Sequence, residues 1–302
     1  LFQIVIGILG NFSLLYHYMF LSVSGCRPRS MDLILRHLTV ANSLVILSRG
    51  IPEAMTAFGL KRFIHDFGCK VFLYVHRVAR GVSIGTTCLL SVFQVITIHP
   101  MNSRWAEIKV KASKYIGPSN VLCWVLHMLV NIIFPIYTTG KLSSKNSTKR
   151  KDLGYCSAPR HDKVTNLVYS ALTPFHDVLC LGLMLWANSC MVFILHRHKQ
   201  RIQHIHRSNL SPRSSPETRA TQSILVLVST FVSFYALSSI TYVYLALFDN
   251  SSGWLMNTAA LITACFPTIS PFVLMCHNPS ISRLCCICCG RNTRFPHLIR
   301  KV

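Results

Sequence analysis

CKVFLYVHRVARGVSIGTTCLLSVFQVITIHP, residues 69 to 100, carries the architecture of this chain. At about 1.5 Å per residue it makes a helix of roughly 48 Å, longer than a bilayer core of roughly 30 Å, so it must cross a membrane tilted and with an overhang. Cys69 stands near its start and His76, Arg77 and Arg80 follow one to three turns later. An apolar run from Cys88 to Val95 comes next, and His99 and Pro100 close it. A cysteine anchor, a cationic middle and a capped exit predict the central signalling helix of a bundle.

Around that segment, 51% of the 302 residues are hydrophobic and only 13% charged, against about 25% charged in soluble domains. Seven apolar segments can be counted, at about 1 to 22, 32 to 56, 69 to 98, 115 to 137, 164 to 195, 219 to 247 and 253 to 277. Each is long enough to span a bilayer. Their spacers are short except for 138 to 163 and 196 to 218, and no internal repeat relates the two halves as many transporter folds would require. The expectation is an all-α membrane protein, a seven-transmembrane helix bundle forming a single domain over residues 1 to 302, with 278 to 302 as a cytoplasmic tail. The chain opens on LFQIVIGILGNFSLLYHYMF, without a basic leader or a starting Met. No cleaved signal peptide is expected, and the true amino terminus is expected to be missing.

The net charge of +22 would suggest nucleic acid in a soluble protein. Here the basic residues sit in the breaks between apolar segments, which points to anionic lipid headgroups and a soluble partner instead. With the amino terminus outside, the inner segments hold 17 Lys and Arg and the outer ones 9. Per residue the two sides hardly differ, so charge orients the chain weakly. The sequons Asn146-Ser147-Thr148 and Asn250-Ser251-Ser252 both fall in loops assigned outside, and Asn146 and Asn250 are the expected glycosylation sites.

Six of the thirteen cysteines, Cys88, Cys123, Cys180, Cys190, Cys265 and Cys276, lie in apolar spans, where cysteine behaves as a small hydrophobe. Cys69 and Cys156 fall at an outer helix end and in an outer loop, so a bridge between them is the economical pairing. It would hold the second outer loop over the bundle mouth. Cys285, Cys286, Cys288 and Cys289 form a CCxCC cluster just after the last span, followed by Arg291 and Arg294. That context favours palmitoylation of a short surface helix over a zinc site, which would want separated ligand pairs, or over plain reduced thiols. HRHKQRIQHIH, residues 196 to 206, reads as a basic amphipathic continuation of the fifth span rather than a metal site.

Ionisable residues inside a span cost about 2.5 to 3.5 kcal/mol each, so they face the bundle interior and mark function or helix pairing. Arg49 and Glu53 are spaced to pair on one face of the second helix. His76, Arg77 and Arg80 should point into the outer half of the bundle. His176 and Asp177 follow Pro174 on the fifth helix at a similar depth, with Asp177 a counter-charge for one of the arginines. One reading is a ligand pocket lined by His76, Arg77, Arg80 and Asp177 and closed by Tyr242 and Tyr244. The other is an ion pair that only holds helices together. His127 reads as a lone interior histidine. Adjacent residues on a helix project about 100° apart, so His176 and Asp177 cannot easily act on one atom and catalysis is not expected.

Gly10-Asn11, LTVAN at Leu38 to Asn42, the Cys69 and Cys156 pair and a late Pro271 resemble a rhodopsin-like G-protein-coupled receptor. SRGIP (48 to 52), TTCLLSVFQVITIHP (86 to 100), NSRWA (102 to 106), HRHKQRIQHIH (196 to 206) and FPTISPFVL (266 to 274) together resemble the type 1 vomeronasal receptors, and the resemblance covers essentially all of the chain. Four positions depart from the wider receptor pattern. Asn42 stands where an acidic residue is usual, Phe93-Gln94-Val95 replaces the acidic-Arg-aromatic switch, Ser270-Pro271 replaces Asn-Pro, and Leu274 replaces a tyrosine. No lysine lies in the seventh span, which removes a retinal Schiff base, and no cofactor is expected.

The resemblance implies a chemosensory receptor for pheromone-like small molecules at the plasma membrane of sensory neurons, coupled to an inhibitory-class heterotrimeric G protein. It also implies a docking surface on the basic inner loops, with His99, Lys109, Arg197, Lys199 and Arg201 as candidate contacts. A bitter taste receptor is the nearest rival, and a transporter or channel the rival from another class.

Overall fold

The computed structural model describes residues 2–23, 30–59, 66–99, 103–132, 139–140, 150–152, 156–159, 163–205, 216–247 and 253–277. Among them are seven helices: α1 (Phe2–Val23), α2 (Ser30–Ala57), α3 (Asp66–Ile98), α4 (Ser103–Asn131), α5 (Lys163–Ile205), α6 (Pro216–Leu247) and α7 (Gly253–His277). The expected all-α bundle is present, and a small sheet lies between α4 and α5. Strands β1 (Thr139–Gly140), β2 (Arg150–Asp152) and β3 (Cys156–Pro159) pair antiparallel in the order β1-β3-β2. This sheet end of the bundle also holds the start of α3, which β1 touches.

Two helices differ from their expected bounds. α4 begins at Ser103, before the apolar run, so Lys109, Lys111 and Lys114 are helical rather than part of a loop. Lys111 pairs with Glu107 one turn back at 2.6 Å, the kind of contact that supports a solvent-exposed helical turn. α5 runs on through the histidine-rich segment to Ile205, and its 43 residues extend beyond a bilayer by several turns.

α3 is the axis of the bundle. In its apolar stretch 72% is buried, against 22% for α5 and 33% for α1, because α3 packs against α2, α4, α5 and α6 together. α5 instead turns Phe175, Leu179, Trp186 and Phe193 outward, as a lipid-facing helix does. α1 closes the ring against α7. A side chain at Gly81 would collide with the His127 imidazole, and one at Gly85 would meet Cys123 Sγ, so small residues on α3 let α4 approach closely.

Polar cross-links fix the register. Pro271 has no N–H to give the carbonyl four residues earlier, and Asn11 Nδ2 donates to that Pro267 oxygen at 2.8 Å, joining α1 to α7. Asn42, the departure noted in α2, donates to Ser270 Oγ at 2.9 Å and accepts from Ser83 Oγ at 2.7 Å. The departures at 42 and 270 are therefore matched, since a neutral amide needs a neutral partner in a buried place.

Candidate functional site

Arg80 lies 14 residues after the start of α3 and Asp177 14 after the start of α5, while Tyr235 lies 12 before the end of α6. Consecutive helices in this bundle run antiparallel, so the three residues reach one depth below the sheet end. There Arg80 Nη2 stands 3.7 Å from Asp177 Oδ2, and its guanidinium lies 5.2 Å from the centroid of the Tyr235 ring. The Tyr235 hydroxyl donates to Asp177 Oδ2. Asp177 Oδ1 is 3.5 Å from His176 Nδ1, and His176 Nε2 is 3.5 Å from Cys180 Sγ. A carboxylate whose side chain is only 11% exposed is thus held from three helices, which is what makes a buried charge tolerable.

Beside this network is a cavity of about 40 Å³ whose lining includes Arg80, Phe231, Tyr235, Ser238 and Phe266. It is little more than water-sized, so a ligand there must part the aromatic side chains. A second cavity of about 300 Å³ lies between α1, α2, α3 and α7 and is lined in part by His76, Arg49 and Glu53. The expected Arg49 to Glu53 pair is present at 3.1 Å.

The residues named from sequence divide between these places. Arg80 and Asp177 meet as expected, whereas His76 lines the larger cavity and shares a 3.3 Å contact with Ser48. Arg77 corrects the expectation that all three cationic residues point inward: its side chain is exposed and lines neither cavity. His127 is buried but not alone, as its ring meets His176 edge-on at 4.8 Å. His176 and Asp177 also make contact, adjacent in sequence though they are.

Tyr242 and Tyr244 are on α6, but their side chains lie outside the described residues. Tyr235, which the sequence reading passed over, is the α6 tyrosine at the depth of Asp177. It precedes Tyr242 by seven residues, about two helical turns, and matching its depth to Asp177 was the signal that could have found it.

Cys69 is buried and disulfide-bonded. Cys156 lies on β3 opposite Gly140, with its side chain outside the described residues. Asn146, Asn250, Cys285, Cys286, Cys288 and Cys289 fall outside them altogether, as does the tail from 278.

At the opposite end, the expected docking residues have local work. His99 stacks on Trp105 at 4.0 Å, and Lys109 Nζ donates to the Thr97 carbonyl at 3.2 Å, capping the end of α3. Arg197 is exposed on α5, and the side chains of Lys199 and Arg201 are outside the described residues. Where the familiar switch is missing, Gln94 Nε2 donates to Thr221 Oγ1 at 2.8 Å, tying α3 to α6.

Seven helices around a polar axis, with a site bridging α3, α5 and α6 at one end and a separate α3–α6 tie at the other, define a seven-transmembrane receptor. The fold is similar to that of squid rhodopsin, with a TM-score of 0.71 over 95% of this chain and 77% of that one at 15% identity. The chain belongs to the vomeronasal organ pheromone receptor family, whose model it matches over residues 1–287.

Among its relatives, it is 74% identical to vomeronasal type-1 receptor 2 of Homo sapiens over 302 residues, which is 100% of this chain and 76% of that protein. It is 59% identical to vomeronasal type-1 receptor 4 of the same species over 283 residues, 94% of each. The chain is accordingly a chemosensory G-protein-coupled receptor, a multi-pass protein of the plasma membrane and not an enzyme.

Proposed function

We propose that this receptor detects a pheromone-like small molecule at the sheet end, facing outside the cell, and activates an inhibitory-class heterotrimeric G protein at the other end. The observation that carries the reading is the Arg80, Asp177 and Tyr235 network, which joins α3, α5 and α6 at one point. A ligand that inserts between these side chains prefers one spacing of the three helices over another, and that difference in affinity is all that is needed to shift the populations. Re-spacing of the far ends then loosens the Gln94 to Thr221 contact and opens a basic cleft that includes Arg197, with Lys199 and Arg201 further along α5. Tyr242 and Tyr244 stand nearer the entrance on α6.

In this orientation the partner of Cys69 is Cys156, whose strand is paired to the β1 strand that touches α3. Sugars sit on Asn146 and Asn250. Acyl chains on Cys285, Cys286, Cys288 and Cys289 anchor the tail, and the basic inner segments meet anionic lipid.

The test is nucleotide exchange on an inhibitory-class G protein in membranes bearing the receptor, across volatile and steroidal compounds, with Arg80→Ala and Tyr235→Phe alongside. Compound-dependent exchange that both substitutions weaken is expected. Exchange unaffected by Arg80→Ala discards the site, and exchange carried only by another G-protein class discards the inhibitory assignment.

A further inference from the structure

The larger cavity is separate from the network just described, and the chemistry of its rim is different. Arg80 and Asp177 do not line it; its charged members are Arg49 and Glu53, already paired through Arg49 Nε and Glu53 Oε1. Its walls are mostly apolar, with Ile4 and Ile46 on one side and Leu261 and Ala264 on the other, and Gln3, Thr263 and Thr268 interrupt them. Close packing bounds it. At Gly7 an added carbon would stand 2.7 Å from Ile46 Cδ1 and 3.0 Å from Thr268 Oγ1, so α1 is drawn against α2 and α7 there. At the cavity itself α1 and α2 stay close, since a carbon added at Gly50 would stand 2.8 Å from Ile4 Cγ2.

A volume of about 300 Å³ falls at the small end of ligand pockets, which run about 300 to 1,000 Å³ with mostly apolar walls and a few convergent polar groups. The Arg49 pair uses only the guanidinium Nε, leaving both terminal nitrogens as donors, and one Glu53 oxygen as an acceptor. His76 also lines the cavity, with its Nδ1 3.3 Å from the Ser48 hydroxyl.

Because the two charges cancel, an anion gains from Arg49 but is repelled by Glu53, and a cation meets the reverse. A neutral head group that both accepts and donates satisfies both members at once. We infer that the cavity between α1, α2, α3 and α7 is a second binding site, selective for a neutral molecule with a compact apolar body and one donor-plus-acceptor head group, such as an amide. Its occupation requires no contact with Arg80 or Asp177.

The probe is adamantane-1-carboxamide, with the carboxylate of the same skeleton as its charged counterpart, titrated against the full-length purified receptor in lipid nanodiscs by equilibrium dialysis. Saturable binding of the amide is expected, with the carboxylate weaker by about tenfold or more. Ala264→Phe should fill the cavity and weaken the amide by about tenfold, while Arg80→Ala leaves it within about threefold.

Glu53→Gln is the second variant, and it keeps the test sharp if the filled cavity does not fold. It removes the repelling charge, so carboxylate binding should improve by about tenfold with the amide little changed. Three results would overturn the inference: no saturable amide binding, amide and carboxylate equal in the wild type, or amide binding lost in Arg80→Ala but kept in Ala264→Phe. None of these bears on G-protein exchange, so the signalling reading stands or falls separately.

Discussion

Among the described residues two side-chain links tie α3 to α6, and they are of opposite kinds. Toward the sheet end the link is ionic and shared: Arg80 lies against the Tyr235 ring, and both hold Asp177 of α5. Toward the other end it is a neutral hydrogen bond, Gln94 to Thr221, and the Gln94 side-chain oxygen is buried with no partner among the described residues. Removing one partner of a buried ion pair costs about 3 to 5 kcal/mol, because a charge is left without compensation. A neutral hydrogen bond contributes about 1 kcal/mol net, and an unpartnered carbonyl detracts from that. One end of the axis is therefore firmly set by charge and the other is weakly closed, as suits a helix that receives a ligand at the first and must open at the second.

This contrast is tested most severely at Asp177. Asp177→Ala should lower stability by about 2 to 4 kcal/mol, less than a fully buried pair because Arg80 is a third exposed, and reduce surface delivery. Thermal unfolding of the purified receptor and surface labelling check this. Pairing it with Arg80→Ala should recover part of the loss, since the orphaned charge is then gone; a strictly additive double variant would mean the two do not interact.

Next in size is Gly81→Val. Its side chain would enter the His127 ring, and overpacking of this kind costs about 1 to 3 kcal/mol, read as a lower unfolding temperature.

At the weak end, Gln94→Leu should leave stability within about 1 kcal/mol, because the unpartnered carbonyl goes with the lost bond. It should also raise ligand-free nucleotide exchange by about threefold to fivefold. Thr221→Val is expected to raise exchange as well, at a larger cost in stability because the buried Gln94 amide stays behind unpartnered. Unchanged basal exchange in both would leave this contact no role in holding the receptor closed.

The smallest effect is expected at Lys111→Ala. The pair with Glu107 is about two-thirds exposed on both sides, so its loss should cost no more than about 0.5 kcal/mol. A change in basal exchange there would mean that the α4 surface, and not the α3–α6 contact, governs closure.

Seven helices, their order and the family could be read from the chain because they rest on local quantities. Apolar runs of the right length must leave water wherever they occur, and prolines and glycines carry their backbone consequences with them. The start of α4 could not be read this way, because its first turns are too charged to count as a span and are helical all the same. That Asp177 pairs with one of the α3 arginines was legible because ionisable residues inside a membrane need partners and few were on offer.

Depth and rotation about the helix axis were not legible, and they separate the remaining residues. Arg77 and Arg80 are three apart, yet one is exposed while the other meets Asp177. Tyr235 rather than a later tyrosine reaches that carboxylate. His76 opens onto a different cavity from Arg80, one turn away. Residue order alone makes this a seven-helix membrane receptor with charges inside it. Which charges meet, and which cavity each one faces, came from the packing of seven helices against one another, because side-chain neighbours across a bundle depend on helix rotation and close approach, and these are properties of the whole assembly.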